Sequence, residues 1–279
     1  MSGSIQADSS RDAETTTDGR KKSGWQAPGL LGVVGRLAPP SLLALLLVAG
    51  WEIAVPVFGI STFVVPRPSL VVQLIARRSE FFIAHTWITT QEIVYGFLLS
   101  VVVGVVLALL IVRFRIVYRA LYPILVVLQV VPKVALAPVF ILWFGFGITP
   151  KLLLTVLIAF FSVTLNMLVG LRSVDPNLRL LMQSVGASRG EIMLRIEIPT
   201  SLPYLMTGLK LAITLGVIGA IVGEFAGASE GLGYLIVVGS AQLDTPLVFA
   251  ALVIVSALGV ALYYAVVLVQ RLLVPWSPE

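Results

Sequence analysis

The sequence predicts an all-α, polytopic membrane protein of about six transmembrane helices, with a two-helix hairpin between the fourth and fifth. Three observations predict it. The 279 residues are 58% hydrophobic and only 12% charged, with a mean hydropathy of +1.02. A soluble domain carries about 25% charged residues, so lipid is the expected solvent for most of this chain. The apolar residues fall into six stretches, each near the roughly 20 residues that cross about 30 Å of hydrocarbon. Lysines and arginines gather in alternate connections between those stretches, as positive-inside sorting requires.

The elements follow in order. Residues 1–37 are polar and rich in Ser, Thr, Gly and charge, and read as a disordered cytoplasmic tail. That stretch is too long and too acidic ahead of its first apolar run for a typical signal peptide. Spans are expected near Ala38–Phe58, Gln91–Val112, Ala120–Phe144, Lys151–Leu171, Pro203–Phe225 and Leu247–Leu273. The third is the least regular, because Pro132 and Pro138 each remove a backbone donor and should kink or interrupt it. The organisation is then a first span with an external segment over 38–90, a transmembrane core over 91–273 that includes a hairpin at 174–200, and a short cytoplasmic C-terminal tail, 274–279.

With the N-terminus inside, the cytoplasmic side carries Arg20, Lys21, Lys22, Arg36, Arg113, Arg115, Arg119, Arg172, Arg179, Arg189, Arg195 and Arg271. The outer side carries Arg67, Arg77, Arg78 and Lys151. An even number of spans places both termini in the cytoplasm of a multi-pass inner- or plasma-membrane protein. Between the first two spans, Ser69 is a candidate N-cap for a short interfacial helix over Leu70–Phe82; a plain loop is the alternative. Gly227–Gly239 reads either as a re-entrant gate or as an external loop.

The segment 174–203 has the densest local signals. Asp175-Pro176 is an N-cap followed by proline at the first helical position, so a helix should run from Pro176 to Val185. Gly186 supplies a sharp turn. Ser188-Arg189-Gly190-Glu191 fits a capping box that opens a second helix, and Pro199 stands where that helix should stop.

Several functions are excluded. The formal charge of +5 is spread between apolar runs, so no nucleic-acid partner is expected. The absence of cysteine excludes disulfides, thiolate metal sites and cysteine nucleophiles, and the single His85 makes no metal centre. No Gly-Lys pair occurs, so the chain has no phosphate-binding P-loop. No catalytic cluster is visible: the spans hold no close Ser–Lys or Asp–Asp pair. Polar residues at membrane depth are the candidates for function, because a central charge costs about 2.5–3.5 kcal/mol and must face protein or water. Lys133 and Glu224 stand out, with Glu52, Glu92 and Lys210 nearer span ends. Asn166 and Gln129 either line a path or join helices by hydrogen bonds. Trp143-Phe144 and Tyr263-Tyr264 read as packing or interface anchors.

The hairpin resembles the cytoplasmic motif of binding-protein-dependent ABC importer permeases: Glu-Ala-Ala, three residues, Gly, nine residues, Ile, one residue, Leu-Pro. Gly186, Ile196 and Pro199 match, Ile198 replaces the Leu, and Leu180, Leu181 and Met182 stand at the Glu-Ala-Ala positions. The missing acid removes any polar contact it makes in relatives but not the turn. Val65-Pro66-Arg67-Pro68-Ser69, the run Pro132–Gly145, Val174-Asp175-Pro176, Gly186-Ala187-Ser188 and Gly231–Ile236 are similar to the nitrate, sulfonate, taurine and pyrimidine-precursor branch. The resemblance implies a permease subunit that couples to ATPase subunits through Leu181, Met182, Gly186, Ala187, Ser188, Ile196 and Pro199. It implies a second permease copy, an external solute-binding protein, and no cofactor here, ATP being bound by the partner. Lys133, Asn166 and Glu224 become candidates for the translocation path. A secondary transporter is the alternative; Glu224 would be its titrating acid, but paired halves are not visible.

Overall fold

A computed structural model describes the backbone from Leu30 to Trp276 and side chains from Leu42 onward. The expected tail before Leu30 and the last three residues lie outside the described residues. Helix α1 (Leu30–Val57) begins ahead of the expected Ala38. By contact clustering, residues 1–49 and 50–279 form separate units. In the first, the described side chains of α1, such as Leu45 and Leu47, are exposed.

The larger unit is helical throughout its described residues. It contains α2 (Pro68–Arg77), α3 (Ser79–Arg113), α4 (Arg115–Val130), a 3₁₀ turn (Lys133–Leu136), α5 (Ala137–Phe144), α6 (Ile148–Arg172), α7 (Pro176–Ser184), α8 (Arg189–Ile192), α9 (Ile198–Gly227), α10 (Leu232–Ala241) and α11 (Thr245–Leu273). Among these, α3, α6, the continuous run Arg189–Gly227, and α11 are long and apolar enough to cross a membrane. The pair Arg115–Val130 and Lys133–Phe144, bent by 90°, forms either a broken fifth span or a re-entrant loop. The described part of α1, Leu42–Val57, is a shorter apolar helix. The bend falls at Pro132, where the sequence lacks a backbone donor.

Helix α6 is the innermost span, packed between α9 and α3. Hydrophobic drive between helices is weak in lipid, so close backbone approach has to hold them. Two glycines permit it. A Cβ on Gly104 would come within 2.6 Å of Val163, and one on Gly208 within 2.9 Å of Asn166. Around these contacts Ala159, Val163 and Ala212 are fully buried. Helix α11 is the least enclosed span and presents most of its apolar surface outward.

Three local expectations are corrected. Ser69 is not the cap of α2: the helix starts at Pro68 behind Arg67, and Ser69 instead donates through its N–H (2.9 Å) and hydroxyl (2.7 Å) to the Glu52 carboxylate. A carboxylate there also suits the positive end of the helix dipole. The interfacial helix ends at Arg77 rather than Phe82, because Arg78 leaves helical geometry (φ −118°, ψ 36°) and α3 starts at Ser79, ahead of the expected Gln91. Pro199 does not stop the second hairpin helix. Met193–Glu197 widens into a π-helix, with the Ile198 N–H bonded to Met193 O, and Pro199 stands in the first turn of α9, where proline is tolerated, so α8 runs on into α9.

Candidate functional site

Chain direction gives the bundle two ends. Helices α3 and α6 finish, and α9 starts, at the α7–α8 hairpin; α9 finishes at α10, beside the starts of α3 and α6.

At the hairpin end the local signals are realised bond by bond. Asp175 accepts from the Asn177 N–H at 2.8 Å and caps α7. Gly186 has φ +83°, a left-handed value that side-chain-bearing residues rarely adopt. The turn is closed by Gly186 N–H to Gln183 O and Ala187 N–H to Met182 O, both 3.0 Å. Ser188 and Glu191 form the reciprocal capping box. A strut ties the hairpin to the spans: Arg179 pairs with Glu197 at 3.1 Å and donates to the Leu171 carbonyl at 2.9 Å. Leu180, Leu181 and Val185 are exposed on α7, while Met182, Ala187, Ile196 and Pro199 are half-buried behind them.

Near the middle of α6 and α9, beside the 90° bend, lies a cavity of about 410 Å³. Gln129, Lys133, Phe161, Ser162, Asn166 and Thr214 are among its lining residues. The Lys133 ammonium lies 5.8 Å from the Phe161 ring centroid, a cation–π distance. The Asn166 amide donates to Ser162 O at 2.8 Å, and the Ser162 hydroxyl to Gly208 O at 3.2 Å, so both also serve helix packing. Lys133 and Asn166 thus share one wall.

Glu224 sits elsewhere, at the α10 end. It is 1% exposed and its carboxylate accepts from the N–H groups of Gly233 and Tyr234 and, at 2.6 Å, from the Thr89 hydroxyl. Thr89 in turn accepts from the Leu232 N–H at 2.8 Å, and His85 Nδ1 accepts from the Gly231 N–H at 2.9 Å. Every orphan donor at the start of α10 therefore has a side-chain partner from α3 or α9. Next to this cage, Lys151 of α6 and Glu92 of α3 form a buried ion pair at 2.5 Å. The segment Gly227–Gly239 thereby contains neither a plain loop nor a spanning helix: α10, at 10 residues, is too short to cross.

Sequence reasoning missed the Arg179–Glu197 strut, the Lys151–Glu92 pair and the His85–Thr89 contribution to α10. A buried lysine and a buried acid on apolar spans were a general signal for a pairing. Their partner choice was not readable, since Glu92 and Lys151 lie 59 residues apart.

A bundle of spanning helices with a largely apolar cavity carrying a few polar groups at its middle and a stiff projection at one end fits a membrane transport permease. The fold agrees with a solved structure, an amino acid ABC transporter with histidines, at a TM-score of 0.56 and 16% identity, covering 72% of this chain and 95% of that one. The chain belongs to the binding-protein-dependent transport system inner membrane component family, whose pattern matches residues 100–276. It is 40% identical over 241 residues to the formylaminopyrimidine transport permease ThiX of Halalkalibacterium halodurans, covering 86% of this chain and 96% of the relative. It is 36% identical over 255 residues to the riboflavin transport system permease RibX of Chloroflexus aurantiacus, covering 91% of each. It is 30% identical over 261 residues to a sulfonate transport permease, SsuC, of Bacillus subtilis, covering 92% and 90%. The protein is the permease component of an ABC importer, a multi-pass membrane protein that forms the path for a small solute.

Proposed function

We propose that the α7–α8 hairpin faces the cytoplasm and docks a separate ATPase subunit through Leu181, Met182, Gly186, Ala187 and Ser188, backed by Ile196 and Pro199. A second copy of the permease completes the path, an external binding protein delivers solute at the α2/α10 end, and ATP is bound only by the partner. The observation that carries this reading is the stiffness of the hairpin. Two caps, a left-handed glycine turn and the Arg179–Glu197 strut fix its shape before any partner arrives. A rigid element can transmit the closing of an ATPase dimer to the spans, whereas a floppy one would absorb it. Arg113, Arg172, Arg179, Arg189 and Arg195 concentrated at this end support the inward orientation.

Where relatives carry Glu-Ala-Ala, this hairpin presents Leu180 and Leu181 to solvent, at 61% and 59% exposure. The docking face is therefore apolar and fits an apolar groove in the ATPase. The solute is proposed to be a small heterocycle. The run Pro132–Pro138 resembles that branch, and the formylaminopyrimidine and riboflavin permeases share more identity with this chain than the sulfonate permease does.

Co-expression with the ATPase and binding protein encoded alongside this chain tests the proposal. A stoichiometric complex and uptake that stops on ATP depletion, but not with an uncoupler alone, are expected. Gly186→Val should lower ATPase recovery and uptake at least tenfold, since φ +83° strains a β-branched residue by about 1–2 kcal/mol, while the amount of permease in the membrane stays the same. Full assembly and uptake in that variant would remove the hairpin from the coupling role. Labelling of a Leu181→Cys variant from outside the cell would reverse the orientation.

A further inference from the structure

Lys133 and, on α9, Lys210 have no carboxylate partner among the described residues, whereas Lys151 is paired with Glu92; of the two unpaired lysines, Lys133 is the one that lines the cavity. Lys151 and Lys133 solve the same electrostatic problem differently. Lys151 is 8% exposed and neutralised by protein. Lys133 is half-exposed, faces a cavity of about 410 Å³, and has only the face of Phe161 for company. Its position is fixed by the chain itself: Pro132 ends the straight helix, and Lys133 is the first residue of the 3₁₀ turn that starts the new direction. Around it, Gln129, Ser162, Asn166 and Thr214 supply amide and hydroxyl groups but no negative charge. An unneutralised cation on the wall of a low-dielectric passage raises the local concentration of anions and electron-rich oxygens and depletes cations.

We infer that Lys133 sets the charge class of the solute in the passage: the cavity takes solutes that present an acceptor oxygen, whether a carboxylate, a sulfonate or a ring carbonyl, and turns away organic cations. The inference rests on the reading of this cavity as part of the translocation path. Phe161 and the apolar lining accommodate the body of the solute while the ammonium holds its oxygen. Lys133 is thus a specificity residue of the permease, acting after the binding protein has released its cargo.

The absence of cysteine in the chain gives a direct test. Thr214→Cys places a single thiol on the cavity wall, on the opposite helix from Lys133. In the assembled complex, its modification by a negatively charged methanethiosulfonate and by a positively charged one is timed, each rate normalised to that reagent's rate with a small free thiol. With Lys133 present the anionic reagent should react faster. Lys133→Met should shift the anion-to-cation ratio about tenfold toward the cation, the size expected for one unit charge a few ångströms away in a partly aqueous site. Lys133→Arg should keep the original ratio. A neutral reagent should react at similar rates in all three, which reports that the cavity is intact. An unchanged ratio in Lys133→Met would overturn the inference, and so would a thiol that no reagent reaches. Neither result would touch the importer assignment, which co-purification of the ATPase decides separately.

Discussion

The two ends of the bundle are held in opposite ways. At the hairpin end the bonds are short-range: Asp175 to Asn177, Ser188 to Glu191 and Gly186 to Gln183 each close over a few residues. At the α10 end they are long-range: Thr89 reaches Glu224 and Leu232, His85 reaches Gly231, and Lys151 reaches Glu92. A locally bonded element keeps its shape as a unit, here tied to the spans by the Arg179 strut and by the continuation of α8 into α9. An element bonded to two spans at once moves only if those spans move with it. The hairpin is held mainly within itself, and the α10 end holds three spans and a short helix together.

The contrast can be broken at its strongest point. Glu92→Ala leaves the Lys151 ammonium buried without a partner, which should cost about 3–5 kcal/mol. Thermal unfolding of the purified permease in detergent would show it, and the double variant Glu92→Leu/Lys151→Met should recover most of the loss. Glu224→Ala comes next. It strips the acceptor from the Gly233 and Tyr234 N–H groups, at about 1–3 kcal/mol for the buried Gly233 donor, while the Thr89 hydroxyl keeps the His85 carbonyl. Amide exchange should rise over Leu232–Ala241 while that of Pro176–Ser184 stays as it was. The smallest effect belongs to the hairpin: Ser188→Ala removes one cap at about 1 kcal/mol. Exchange should rise over Arg189–Glu197 and nowhere near α10. If Ser188→Ala loosened α10, or Glu224→Ala loosened α7, the two ends would not be independently held.

The same contrast explains what the sequence reveals and what it hides. Asp175-Pro176, Gly186 and the Ser188–Glu191 box were legible because their partners lie within a few residues. The break at Pro132 was legible for the same reason: a missing donor is a property of one residue. Glu224 was singled out for its cost in lipid as a candidate for the path; the structure buries it away from the cavity, and its partners on α3 and α10 left no local trace. Lys133 and Asn166 were found as polar residues in apolar surroundings; that they share one cavity emerges only when the bent pair packs beside α6. Pro199 misled because the rule that proline ends a helix assumes regular α geometry, and the π stretch before it is not regular.

The uninterrupted run from Arg189 to Gly227 spans 39 residues, about 58 Å at 1.5 Å per residue. It is one continuous rod with one end in the hairpin and the other beside the Glu224 cage. A tilt of about 5° about the Arg189 end carries Gly227 sideways by about 5 Å, more than the width of a methyl group and comparable to one helical turn. A small rotation at one end of this rod thus becomes a step of several ångströms at the other.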